Sequence, residues 1–201
     1  MIIIKEIPVS ELNIKKEEAL RYAGVKGEAD ENTLKLFDKA FELIIENVKP
    51  KAVYKCVGVS YTDEEVVIDE TPIKSTGLRK FLKGATRCAI LAATAGIEAD
   101  RLINRYSYVE PSLALMLDAL SAATVEALCN KLCCKDFSVE EQCRFSPGYS
   151  DFPISYQKRI VSKLSAELNI GVTLNASLML SPSKSVTAIV PIKECMKECL
   201  K

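Results

Sequence analysis

Two charged residues stand out for the chemistry they could do. Glu126 interrupts a long apolar run, Leu113 to Leu128, whose leucines, alanines and Met116 cover nearly the whole circumference of a helix. At 100° per residue it lies within about 40° of Leu115, Ala119 and Ala122. A carboxylate among such neighbours needs a partner, because an unpaired charge in an apolar site costs several kcal/mol. Two readings are open: an ion pair with an internal Arg or Lys, or contact with a ligand for which the alanines leave room. Arg144 opens the segment Arg144-Phe145-Ser146-Pro147-Gly148-Tyr149-Ser150-Asp151-Phe152-Pro153. The prolines fix φ, Gly148 permits a sharp turn or close backbone approach, and the Arg144 fork suits a carboxylate. Tyr149 adds a flat face with a polar tip. The segment reads equally as a rigid surface turn whose Arg pairs with a local acid; spacing alone does not choose.

The cysteines form a competing constellation. There are eight, at 56, 88, 129, 133, 134, 143, 195 and 199. Cys129/Cys133 and Cys195/Cys199 each share a helical face at i, i+4, but the C-x-x-C spacing usual for zinc or clusters is absent. With no export signal in view, a reducing cytoplasm and free thiols are expected. Composition narrows the chemistry further. The 201 residues contain no His, which removes Ser–His or Cys–His nucleophile pairs, His-ligated metals and imidazole bases. Lys+Arg (27) equal Asp+Glu (27), so no charge footprint for nucleic acid or an anionic membrane exists. At 48% hydrophobic the chain has enough apolar surface to fold as one domain, here taken as 1–201.

The elements that must position these residues follow from periodicity and punctuation. A strand is expected at Ile2–Ile7, a short helix at Lys15–Ala23, and a stronger helix from an Asp30 or Asn32 cap to Pro50. Strands follow at Ala52–Tyr61 and Val66–Ile68, then a Ser75-capped helix closed by Gly84, a buried strand at Cys88–Thr94, and a helix from about Glu98 to Tyr108. The long helix begins at Pro111, a favourable first-turn position, and runs to about Cys134. Lys135–Pro153 is irregular. A helix from Ser155 to Asn169, strands at Leu174–Leu180 and Ser185–Ile192, and a charged helical stub from Lys193 complete the reading. The non-alternating order predicts an α+β fold with a mainly antiparallel sheet and packed helices.

Arg144-Phe145-Ser146-Pro147-Gly148-Tyr149 resembles the Arg-x-x-Pro-Gly-Tyr signature of the reactivation (activation) domain of cobalamin-dependent methionine synthase. Thr94-Ala95-Gly96-Ile97 looks like that family's turn into its helical region. Ala119-Leu120 through Glu126-Ala127 resembles its long helix. Leu174-Asn175-Ala176-Ser177, with Pro182 and Ser185-Val186-Thr187, looks like its closing strands. The likeness is strongest over residues 86–192.

The resemblance implies an S-adenosylmethionine-binding component that supports reductive methylation of cob(II)alamin, restoring a stalled corrinoid. The cobalamin would be carried by a separate methionine synthase chain, and the electron would come from a flavodoxin-like donor. Such a chain is an accessory to that methyltransferase rather than a catalyst alone. By the same resemblance Arg144 would grip the methionyl carboxylate, Ser146 and Gly148 would supply backbone contacts, Tyr149 would lie near the sulfonium end, and Glu126 would hold the polar part of the ligand. The acid for the ligand's amino group is open between Asp63, Asp69 and Glu70. Two alternatives remain: an activator of another corrinoid methyltransferase system, and a cysteine-based redox or metal-binding adaptor.

Overall fold

The computed structural model describes residues 1–192. The expected Cys195/Cys199 pair and the helical stub from Lys193 lie outside the described residues. The centre of the molecule is an antiparallel pair of strands, β2 (Lys51–Tyr61) and β5 (Arg87–Thr94), in register from Lys51↔Thr94 to Gly58↔Arg87. On the far side of β5 lies β8 (Ser185–Pro191), and on the other edge of β2 lies β1 (Ile2–Glu6). The second half of β2 pairs with β3 (Val66–Ile68), which turns into β4 (Thr71–Ile73). Every pairing in this sheet is antiparallel, as the α+β reading requires.

Helices cover both faces, and the strand period of two divides the core accordingly. Ala52 and Tyr54 of β2, with Ala89, Leu91 and Ala93 of β5, face one layer of helices. That layer is α1 (Lys16–Tyr22), α2 (Glu31–Asn47), α4 (Ile97–Ser107) and α5 (Pro111–Lys135). Val53 and Val57 of β2, with Cys88, Ile90 and Ala92 of β5, face the opposite layer. There lie α3 (Thr76–Leu82), α6 (Gln157–Lys163) and α7 (Ala166–Ile170). Two-sided cover explains why β5 reads as an unbroken apolar run.

The caps follow the sequence. Asp30 accepts from the Thr33 N–H at 2.7 Å to start α2, and Ser75 accepts from the Leu78 N–H at 3.1 Å to start α3. Pro111 takes the first turn of α5, where its missing N–H has no partner to lose. At 25 residues α5 is apolar enough in composition to cross a membrane, yet 72% of its most apolar stretch is buried inside the protein. It is a core helix.

Three expectations need correction. Glu126 is not a buried acid: α5 keeps one partly open stripe through Leu115, Asp118, Ala122 and Glu126, and Leu115 is 54% exposed. Leucine and alanine there disguised the solvent-facing side. The expected strand Leu174–Leu180 is a tight hairpin, in which two short strands, β6 (Thr173–Leu174) and β7 (Leu180–Ser181), flank a turn. Asn175 builds that turn, its side chain accepting from the Met179 N–H at 2.9 Å. The helix expected from Ser155 to Asn169 breaks at Ser165, which adopts a left-handed φ of 45°.

Candidate functional site

The segment from Cys143 to Pro147 runs along the free edge of β8. Phe145 exchanges both backbone hydrogen bonds with Ile189, each at 2.9 Å. Extended backbone sends successive side chains to opposite sides. Phe145 therefore enters the α3–α6 layer, packing against Phe81 at 5.2 Å and Phe152 at 6.1 Å between ring centroids. Arg144 goes the other way, onto α5.

There Arg144 meets Glu126. Its Nη2 donates to Glu126 Oε2, and its Nη1 donates to Asn130 Oδ1 at 2.8 Å. The Arg144 side chain is 9% exposed and that of Glu126 31%, so the cation is enclosed while its anion borders water. Burial pushes the guanidinium down from its ordinary value, while Tyr149, Tyr22 and Glu18 push it back up. A guanidinium in a protein stays protonated, and with Glu126 in contact Arg144 carries its full charge.

The two residues singled out in the sequence thus converge. Glu126 has the partner that the ion-pair reading gave it, and that partner is the Arg of the candidate ligand segment. Beside the pair opens a cleft of about 270 Å³ lined by Tyr22, Ala122, Val125, Glu126 and residues 183–186. A second cleft, of about 210 Å³, lies between α1 and the C-terminal half of α5, and its walls include Glu18, Asn130 and the exposed Cys134.

The turn after Arg144 is held by its own backbone. The Gly148 N–H donates to the Phe152 carbonyl at 2.8 Å, and the Tyr149 N–H donates to the Ser146 carbonyl at 3.0 Å. Gly148 has φ +95°, a backbone conformation that calls for glycine, and a Cβ there would lie 3.1 Å from the tip of Ile154. Tyr149 projects outward at 57% exposure, its ring edge-on to Phe145.

Asp151 fastens the turn to α3. Its carboxylate accepts from the Ser75 hydroxyl (2.6 Å), the Thr76 N–H (2.6 Å) and the Gly77 N–H (2.9 Å). These bonds, that from Ser75 foremost, lower its pKa from 3.8 to about 2. Gly77 is where the two segments touch: a Cβ would meet Ser150 Oγ at 2.9 Å. A carboxyl whose folded pKa lies below its unfolded one stabilises the fold above about pH 4 and loses that contribution as pH falls towards 2. Acid titration of thermal stability is expected to show this loss in the wild type and a flatter profile in Asp151→Asn. Parallel profiles would overturn the assignment.

Of the acids considered for an amino group, Asp69 is committed elsewhere. It bonds Lys163 and lies 3.5 Å from Lys55, and the Lys163 bond holds its carboxyl below the usual range. Glu18 of α1 lies near Arg144 but is also engaged, accepting from the Tyr22 hydroxyl at 3.0 Å and lying 3.5 Å from Arg21. Sequence reasoning missed Asn130, Glu18 and Tyr22. Asn130 lay one helical turn beyond Glu126, a spacing that signals a shared face; nothing local marked Glu18 or Tyr22.

Cys129 and Cys133 are buried, and burial raises both thiols, that of Cys133 to about 12. Among the described residues no group of three His, Cys, Asp or Glu side chains is placed to hold a metal ion.

The architecture, a curled antiparallel sheet with helices on both faces, is the reactivation-domain fold. In particular, it is similar to the crystal structure of the MetH reactivation domain bound to AdoHcy (S-adenosylhomocysteine), with a TM-score of 0.76 at 19% sequence identity. The match covers 98% of this chain and 80% of that chain. No family model and no curated protein matches the sequence.

Proposed function

We propose that this protein binds S-adenosylmethionine at the Arg144–Glu126 site and supports reductive methylation of cob(II)alamin carried by a separate methionine synthase chain. One observation carries the reading. A guanidinium and a carboxylate converge beside the Pro147-Gly148 turn, in a fold whose solved counterpart holds the demethylated form of this ligand. The residues fit an amino-acid zwitterion: Arg144 matches its carboxylate, and Glu126 matches its ammonium.

When bound, S-adenosylmethionine would supply an electrophilic methyl group and leave as S-adenosylhomocysteine, and a flavodoxin-like donor would supply the one electron that cob(II)alamin needs in order to accept it. The chain's own residues bind and orient. Arg144 fixes the carboxylate end, Glu126 can turn from Arg144 to the ammonium because it borders water, and Tyr149 offers its exposed ring where a partner would close the site. A cleft of about 270 Å³ falls short of the ~300–1,000 Å³ of a self-sufficient small-molecule pocket, in keeping with a half-site completed by the corrinoid protein.

The test is reconstitution. Added to an oxidised, cobalamin-loaded methionine synthase chain with a reductant and methyl-labelled S-adenosylmethionine, the protein is expected to transfer label to cobalt. Transfer only with a corrinoid protein of another methyltransferase system would move the assignment to that partner. Transfer to neither would overturn it.

A further inference from the structure

Asn130 is 9% exposed on α5, one turn beyond Glu126. Its Oδ1 accepts twice, from Arg144 Nη1 at 2.8 Å and from the Gln142 N–H at 3.0 Å. The second bond reaches the backbone leading into Arg144, because the Arg144 N–H in turn donates to the Gln142 carbonyl at 2.8 Å. Gln142 holds a left-handed φ of 61°, a conformation a non-glycine residue keeps only when its surroundings impose it. One amide oxygen therefore secures both the approach to Arg144 and one arm of its fork.

The charge of that oxygen matters as much as its position. An amide accepts from the guanidinium without neutralising it. The only ion pair to Arg144 among the described residues is Glu126, on the other arm. Glu126 is also the partner that borders water, whereas Arg144 is enclosed. The pair is thus built asymmetrically, with a fixed cation and an anion free to move aside.

We propose that Asn130 is a positioning residue of the ligand site, whose neutral oxygen holds the Arg144 fork while leaving its charge to be claimed by the ligand's carboxylate in place of Glu126. The inference rests on the S-adenosylmethionine reading. Aspartate at this position has the same shape and still accepts from both donors, but it would satisfy Arg144 permanently and repel an incoming carboxylate.

Calorimetry with two probes tests this: S-adenosylmethionine, and decarboxylated S-adenosylmethionine, which keeps the sulfonium and the amine. Asn130→Asp is expected to keep its thermal stability and to bind S-adenosylmethionine on the order of tenfold more weakly. It should bind the decarboxylated probe as well as the wild type does, or better. A merely structural role would move both affinities together. Asn130→Ala, a second variant should the first not fold, is expected to lose affinity for S-adenosylmethionine alone. If the wild type prefers S-adenosylmethionine to the decarboxylated probe and Asn130→Asp keeps that preference, the role of Asn130 is overturned while the ligand reading stands. If the wild type binds neither probe, alone or with the cobalamin-loaded chain present, the ligand reading itself fails.

Discussion

Arg144→Ala is expected to weaken S-adenosylmethionine binding by about 2 kcal/mol or more, the typical loss for a hydrogen bond to a charged group. That is roughly a thirtyfold rise in Kd by calorimetry. The fold should survive, because Glu126 is half-exposed and can be solvated once its partner is gone, and Asn130 keeps its bond to the Gln142 N–H. Arg144→Lys should not restore affinity, since an ammonium cannot serve Asn130 and a carboxylate in the same planar fork. Unchanged affinity in the folded alanine variant would remove Arg144 from the site and leave the Arg144–Glu126 contact as an ion pair alone.

Phe152→Ala is expected to destabilise the protein by ~3–5 kcal/mol, the range for emptying a fully buried aromatic site. Phe152 is 1% exposed and packs on Phe145 and on Tyr156, whose ring centroids lie 6.1 and 5.1 Å away. It matters twice over. Its carbonyl takes the Gly148 N–H, and its own N–H donates to the Tyr149 carbonyl at 2.9 Å. Once the ring no longer anchors this backbone, the turn should loosen and ligand affinity should fall together with stability. Urea denaturation measures the first effect and calorimetry on the residual folded protein the second. A stability loss under about 1 kcal/mol would mean that the layer repacks around the gap.

How far the sequence reveals this molecule depends on where each element's instructions lie. Asp30, Ser75 and Pro111 mark helix starts through their own side chains, and the structure places a start at each. The β3–β4 hairpin was invisible beyond β3, because its turn residues Asp69 and Glu70 hold φ values of 48° and 65° without a glycine to announce them. The Lys163 bond to Asp69, from a helix 94 positions away, helps to hold them there. Leu174–Leu180 looked like a strand because its apolar residues alternate, yet Asn175 bends it by a local hydrogen bond. The site divides in the same way. Arg144 and Glu126 were legible because a guanidinium beside a Pro-Gly turn and a lone acid on an apolar helix are each locally odd. Glu18 and Tyr22 sit on an ordinary charged helix, and only packing of α1 on α5 brings them near Arg144.

The clamp between Phe145 and Ile189 makes counting as important as chemistry in this part of the chain. Inserting one residue between Arg144 and the clamp residue Phe145 would turn the guanidinium towards the ring-filled side of the sheet. Almost nothing in the overall composition would betray the error. Lineages descending from such a protein can trade side chains along this ribbon with some freedom, but its length is held to a single value, so gaps in it should be far rarer than substitutions.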